Sequence, residues 1–160
     1  MTTLTPTTSG GAITSWSVSP SLPAGLSLDS STGAISGTPT AVTSSAAYTV
    51  TASNTGGSDT ASITIVVNDV TPSDLDYSPN SFTLTKGTQM TTVTPTANGG
   101  TITGWSVSPS LPAGLSLDST TGAISGTPTA VTSSATYTIT ATNTGGSDTA
   151  TVTIVVNDIA

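Results

Sequence analysis

The sequence repeats itself with a period of 89 residues, the separation between Trp16 and Trp105. The string L-P-A-G-L-S-L-D-S-S-T-G-A-I-S-G-T-P at residues 22–39 returns at residues 111–128 with a single exchange. Residues 1–70 align with residues 90–159, so the chain is a tandem array of fewer than two complete units. Because a repeat of this length builds one structural unit per period, we expect two domains, residues 1–70 and 71–160.

Charged residues are few and almost all acidic: eight are Asp, one is Lys86, and the net charge is −7. With a single cation the chain cannot displace the counterions of a phosphate backbone, which excludes nucleic-acid binding and disfavours anionic membrane surfaces. Cysteine is absent, so disulfides and thiolate metal sites are excluded as well. The longest apolar run, residues 63–67, is too short to span a bilayer, and no signal peptide opens the chain. This composition is what we expect of a fragment of a longer secreted protein.

Alternation of apolar and Thr residues predicts strands rather than helices. In the second copy every other residue of 135–141 and of 150–156 is apolar, and an Asn-Thr-Gly-Gly turn at 143–146 separates the two runs. This period of two predicts a long hairpin with one buried face and one solvated Thr face. With about seven short strands and one buried Trp per unit, the prediction is an all-β chain of two tandem immunoglobulin-like antiparallel β-sandwich domains.

The segment between the copies divides into a polar part and a strand. Residues 68–78 carry one proline and are expected to be a linker, whereas residues 81–86 are expected to form a leading strand with Phe82 and Leu84 inward. The first copy has no such strand within the sequence. If such a strand is integral to the fold, the first copy exposes a sheet edge or an open groove along its core, and the hypothesis is that it borrows a strand from a neighbouring molecule or is less stable than the second copy. The alternative is that the leading strand is peripheral.

The L-P-A-G-L-S-L-D-x-x-T-G-x-I-x-G-T-P string, with W-S-V-S-P before it and Y-T-V-T-A-x-N after it, resembles the He-PIG family of immunoglobulin-like domains. That family is related to cadherin-like and dystroglycan-type modules. The resemblance covers nearly all of both copies. It implies tandem sandwich domains in large secreted or surface proteins of bacteria, often adhesins, and it transfers no catalytic residue.

The sequence predicts no catalytic activity, because the chain offers no His, Cys, Glu or Arg and its acidic residues are scattered singly. The one metal hypothesis concerns Ca²⁺ at the junction of the domains, held by oxygen ligands from Asn68, Asp69, Asp74 and Asp76. The alternative is a plain solvated acidic linker. No other cofactor is expected.

Three further acidic or basic residues invite an interpretation. Asp29 and Asp118 are expected to cap the turn that follows them by accepting backbone N–H bonds. Lys86 alternates in step with Phe82 and Leu84, so its side chain is expected to start on the inward face of the strand. One hypothesis is an isopeptide bond to Asn157, and the other is a lysine whose side chain reaches to solvent.

The predicted function is a structural spacer in a long extracellular or cell-surface protein of bacterial adhesin type, whose partners are the neighbouring repeats. One alternative is a module that binds glycan, ice or another surface through Thr138, Thr140, Thr151 and Thr153, although Thr also suits any solvated strand. A second alternative is a unit that assembles by strand exchange.

Overall fold

Thirteen strands and no helix form the part of the chain that the computed structural model describes, residues 1–159. Within these residues there is accordingly no helix of the length and apolarity needed to cross a membrane. The chain divides into unit 1, Met1–Asn68, and unit 2, Asp69–Ala160. The all-β prediction is confirmed.

Unit 1 contains five strands: β1 (Ser15–Ser19), β2 (Leu26–Leu28), β3 (Ile35–Gly37), β4 (Thr43–Asn54) and β5 (Gly57–Val67). An antiparallel sheet has the order β1-β4-β5, and β2 pairs with β3 in a separate antiparallel sheet. Residues 1–8 contribute an isolated bridge between Leu4 and Ile35. Pro6 lacks the N–H that a continued ladder would need.

Unit 2 contains eight strands: β6 (Ser73–Asp76), β7 (Ser81–Thr85), β8 (Thr96–Asn98), β9 (Gly104–Ser108), β10 (Leu115–Leu117), β11 (Ile124–Gly126), β12 (Thr132–Asn143) and β13 (Gly146–Asn157). A four-stranded sheet has the order β7-β13-β12-β9, and the pairs β10–β11 and β6–β8 form the remaining sheets. The four-stranded sheet is antiparallel except at its edge, where the predicted leading strand β7 runs parallel to β13.

The long hairpin of each unit has the predicted form. In unit 2, Ile139 pairs with Ala150 and Tyr137 with Val152, and the register ends in a turn where Asn143 faces Gly146. The Oδ1 atom of Asn143 accepts the N–H of Gly145 at 2.8 Å, which closes the turn. Unit 1 has the same register 89 residues earlier.

The core of unit 2 lies between its sheets and collects the apolar residues of the alternating strands. Among its Ile and Val side chains, five are completely inaccessible: Ile124, Ile139, Val152, Ile154 and Val156. Burying such a side chain contributes about 1.5–3 kcal/mol, so these residues dominate the stability of the unit. Tyr77 joins the same cluster, and Phe82, Leu84 and Trp105 pack against it.

The segment expected to be a linker, residues 68–78, differs from that expectation. Its residues 73–76 form β6, which pairs with β8, and its apolar residues Leu75 and Tyr77 are 8% and 1% exposed. Two apolar residues at a spacing of two gave the segment one buried face, and that face packs into unit 2.

Candidate functional site

The motif that defines the repeat is a turn organised by one aspartate. In unit 1 the Oδ1 atom of Asp29 accepts the N–H of Ser31 at 2.8 Å, the N–H of Thr32 at 3.0 Å and the hydroxyl of Ser31 at 2.6 Å. These hydrogen bonds lower the pKa of Asp29 to about 2. Asp118 makes the same contacts with Thr120 and Thr121, and its pKa is also lowered to about 2. The predicted capping role is confirmed, so these carboxylates serve the turn.

The glycine that ends this turn lies against the tryptophan of the unit. A Cβ at Gly33 would be 2.5 Å from the ring of Trp16, and one at Gly122 would be 2.7 Å from the ring of Trp105. Both glycines also have a positive φ, 73° and 72°. The glycine of the motif is therefore required both by its backbone conformation and by its close packing on the Trp ring.

The four residues predicted to bind calcium belong to both units. Asn68 closes unit 1, while Asp69, Asp74 and Asp76 belong to unit 2. The Oδ1 atom of Asp69 accepts the N–H of Val70 at 2.9 Å, and the Oδ2 atom of Asp74 accepts a hydrogen bond from the side-chain amide of Asn98 at 3.1 Å.

Asp74 also has a positive φ of 55°. Asp76 lies at the end of β6 opposite Thr96. Among residues 1–159 no group of three or more His, Cys, Asp or Glu side chains is arranged to hold a metal ion.

Lys86 is directed to solvent. Its side chain is 44% exposed, and its Nζ atom lies 3.8 Å from the carboxylate of Asp158. Only its backbone N–H contacts Asn157, whose carbonyl accepts it at 2.8 Å. An exposed pair of this kind contributes little to stability.

The Thr residues of the hairpin form a continuous outer surface, which we call the hydroxyl face. On unit 2 it consists of three cross-strand pairs: Thr136–Thr153, Thr138–Thr151 and Thr140–Thr149. Ser106 and Ser108 of β9 extend the rows beside Thr140 and Thr138. All of these residues are exposed or half-buried. The residues that alternate with them along β12 and β13 include the buried residues of the core, so the predicted outward orientation of the Thr side chains is confirmed.

The N-terminal residues of unit 2 dock onto the turn of its long hairpin. The N–H of Asp69 donates to Thr144 Oγ1 at 3.0 Å, and the hydroxyl of Thr71 donates to the Gly145 carbonyl at 2.8 Å. The side-chain amide of Asn143 donates to the Val70 carbonyl at 2.7 Å. Sequence reasoning missed this contact, because the alternation of apolar residues carries no signal for bonds made by a turn.

Two more contacts hold the same segment farther along. The N–H of Leu75 donates to Asp148 Oδ2 at 2.9 Å, and the hydroxyl of Tyr77 donates to the Gly122 carbonyl at 2.5 Å. Tyr77 is fully buried, and desolvation raises the pKa of its phenol above the usual range.

Unit 1 has an open groove beside its core. The groove has a volume of about 420 Å³ and lies between residues 4–9 and the inner face of β5, with Trp16, Gly33 and Asp59 in its wall.

The family model described as "Putative Ig domain" (He_PIG) matches residues 1–68 and 70–157. A serine-rich adhesin for platelets from Staphylococcus aureus strain MRSA252 is 35% identical over 151 residues, which are 91% of this chain and 11% of the adhesin. The same adhesin from strain MW2 is matched equally well over 6% of its length. The chain thus spans about a tenth or less of the curated relatives that it matches.

Among solved structures, extracellular domains 3–5 of Drosophila OTK align with a TM-score of 0.47 and 17% identity, covering 89% of this chain and 50% of that one. A "putative alpha-galactosidase" from Bacteroides fragilis aligns with a TM-score of 0.45 and 30% identity, covering 57% of this chain and 19% of that one. With a family match over almost its whole length and the sandwich architecture of both units, the chain belongs to the He_PIG family of immunoglobulin-like domains.

Proposed function

We propose that the chain is a non-catalytic structural spacer of a large extracellular adhesin-type surface protein. The observation that supports it most directly is that one unit is built twice with one register. Tyr48 pairs with Ile63 in unit 1 as Tyr137 pairs with Val152 in unit 2. Two copies of the same structure repeat one mechanical task, whereas a specific binding site needs only one.

The chemistry of the surface agrees with this role. The chain has no His or Cys and only one cation, so it offers no base, thiol or anion clamp for catalysis. Its outer sheet faces are rows of Ser and Thr, which solvate the strands without attracting charged partners.

The connection between the units is short enough for a spacer. Strand β5 ends at Val67, and Asp69 already donates its N–H within unit 2, which leaves Asn68 between the last strand residue and the first docked residue.

The experiment measures reach. A ligand-binding domain is fused to one, two or four copies of the chain, anchored on beads, and the beads are covered with a polymer brush. The proposal expects capture of the ligand to rise with the number of copies and to stay unchanged when the hydroxyl face is altered. Ligand capture that does not change with the number of copies contradicts the spacer function.

A second candidate function is recognition of a flat surface, such as glycan or ice, by the hydroxyl face. The observation in its favour is the regular register that places Thr138 opposite Thr151 and beside Ser108. Replacing Thr138, Thr140, Thr151 and Thr153 with Val removes the hydroxyls and keeps the β-branched shape, so a surface binder loses binding and a spacer does not. Replacement with Ser keeps the hydroxyls and is the matched control.

Calcium at Asn68, Asp69, Asp74 and Asp76 stays a prediction. Its test is the melting temperature of the chain in excess Ca²⁺ and in excess chelator. A rise with Ca²⁺ that Asp69→Asn or Asp74→Asn removes supports the site, and identical curves end the hypothesis.

A further inference from the structure

Residues 69–86, which we call the leading segment, run alongside the last strand of unit 2. At the turn before β13 the N–H of Asp69 donates to Thr144 Oγ1 at 3.0 Å. Farther along, the N–H of Leu75 donates to Asp148 Oδ2 at 2.9 Å. Because the residue numbers of the partners rise together, the leading segment and β13 run in the same direction.

The same direction continues in the parallel ladder between β7 and the end of β13. Before this ladder the N–H of Thr153 donates to the Asn80 carbonyl at 2.8 Å. After it the N–H of Lys86 donates to the Asn157 carbonyl, also at 2.8 Å. Contacts between the leading segment and β13 therefore extend from the hairpin turn to the last residue of β13.

The chain enters and leaves unit 2 at opposite ends of this line of contacts. Asp69 lies at the turn that precedes β13, and Asn157 is the last residue of β13. The 12 residues of β13 span roughly 40 Å. Tension along the chain therefore pulls the leading segment toward the turn and pulls β13 in the opposite direction.

Two strands that are pulled in this way are loaded in shear. The hydrogen bonds of a parallel ladder are evenly spaced along the strands, so they share the load. Tension applied to both strands from the same end would instead open the bonds one after another. The side chains of Leu75 and Tyr77 are 8% and 1% exposed, so the packing of the core also resists sliding of the leading segment.

The other strands of unit 2 lie outside the direct path of the load. Strands β8 to β12 connect the end of the leading segment to the start of β13. Tension reaches them only after the leading segment and β13 have slid apart. The contacts between these two elements therefore decide whether the whole unit keeps its length.

We propose that the leading segment and β13 form a mechanical clamp, through which unit 2 bears tension along the chain without unfolding. The clamp rests on the proposed spacer function for its use, since a spacer that is pulled has to keep its length. Its measurement does not depend on that function, because the rupture force is a property of the unit alone.

Single-molecule force spectroscopy on the full chain tests the clamp. Because the chain contains no cysteine, two introduced cysteines fix the points at which it is held. Asn68→Cys with Ile159→Cys loads unit 2 in shear, whereas Gln89→Cys with Ile159→Cys pulls from one end of the ladder. All three positions are exposed. The clamp predicts a rupture force several times higher for the first pair than for the second.

The length released under shear identifies the event. Fully extended, residues 69–157 span about 310 Å, whereas the folded unit holds their ends roughly 40 Å apart. Unfolding in one step therefore lengthens the chain by about 270 Å. The clamp predicts this single step, because no part of the unit yields before the contacts with β13 do.

Lys86 offers a matched pair of substitutions. Lys86→Pro removes the N–H that donates to Asn157, whereas Lys86→Ala keeps that N–H and removes only an exposed side chain. We expect Lys86→Pro to lower the rupture force under shear and Lys86→Ala to leave it unchanged.

A substitution away from the clamp separates mechanical resistance from overall stability. Ile139 is fully buried on β12, outside the path of the load. Ile139→Val is expected to lower the midpoint of chemical unfolding, because it removes a buried methyl group. It is expected to leave the rupture force under shear nearly unchanged.

Three results overturn the proposal. They are equal rupture forces for the two cysteine pairs, release of the leading segment in a separate step before the rest of the unit, and equal rupture forces for Lys86→Pro and Lys86→Ala. The first two need no proline variant. None of these results bears on the spacer function, because the reach experiment applies no tension.

Discussion

The hydroxyl of Tyr77 donates a 2.5 Å hydrogen bond to the carbonyl of Gly122, and that glycine lies against the ring of Trp105. The contact joins the N-terminal segment of unit 2, the turn between β10 and β11, and the tryptophan of β9. Because Tyr77 is only 1% exposed, both the ring and its polar tip are committed to the core. The segment before the first repeated residue is thus an integral part of the fold of unit 2.

Removing the hydroxyl of Tyr77 alone is expected to destabilise unit 2 moderately. Tyr77→Phe leaves the Gly122 carbonyl without its partner and costs about 1–2 kcal/mol. Tyr77→Ala also removes the buried ring and costs about 3–5 kcal/mol. Urea unfolding followed by circular dichroism measures both. Equal stability of Tyr77→Phe and the unaltered chain would show that the hydrogen bond contributes nothing.

Two glycines of unit 2 separate the cost of conformation from the cost of packing. Gly87 has a φ of 78° and open space around it, so Gly87→Ala costs only the left-handed backbone, about 1–2 kcal/mol. Gly122 has nearly the same φ and the ring of Trp105 beside it, so Gly122→Ala costs about 2–5 kcal/mol. Chemical denaturation gives the two values, and a smaller loss at Gly122 than at Gly87 would refute the close packing.

The docking of residues 69–71 onto the hairpin turn is tested by a pair of equivalent positions. A Cβ at Gly145 would lie 2.1 Å from the Asp69 carbonyl oxygen, whereas one at Gly56 in unit 1 meets only the side chain of Asn54 at 3.2 Å. We expect Gly145→Ala to cost about 1–3 kcal/mol and to open residues 69–71 to proteolysis. Gly56→Ala is expected to change stability by about 0.5 kcal/mol or less. Comparable losses at the two positions would mean that the segment is not docked.

Acid is expected to weaken the Asp turns in a defined window. Hydrogen bonds lower the pKa of Asp118 from 3.8 to about 2, so its contribution to stability is complete above pH 3.8 and is lost as the pH falls toward 2. Asp118→Asn removes this part of the pH dependence because an amide does not ionise. Melting temperatures between pH 5 and 2 compare the two chains, and Asp29→Asn repeats the test in unit 1. Parallel curves for the altered and unaltered chains would contradict the assignment.

Most of the fold that the sequence predicts follows from the alternating apolar and Thr residues of the long hairpins. Tyr137, Ile139 and Val152 are buried and the Thr residues between them face outward, because the period of two leaves a strand only one way to hide its apolar face. The turn held by Asp118 was equally predictable, since a local side-chain contact needs no knowledge of the rest of the fold.

The N-terminal segment of unit 2, residues 69–79, could not be placed by the same reasoning. Its prolines and its aspartates Asp74 and Asp76 are typical of a linker, and only Leu75 and Tyr77 indicate a strand. Their partners, Asp148 and Gly122, are 73 and 45 residues away, so the contacts depend on the assembled sandwich. The parallel pairing of β7 is likewise a property of the finished sheet.

Each repeat is proposed to be a structural unit that adds length, and small-angle X-ray scattering tests this role most directly. The 12-residue strands β12 and β13 span roughly 40 Å each, which sets the length that one unit can contribute. We expect the maximum dimension of a chain with two added units to exceed that of the present chain by about 80 Å. A maximum dimension that grows only as the cube root of mass would show that the repeats pack into a globule, and the spacer function would be contradicted.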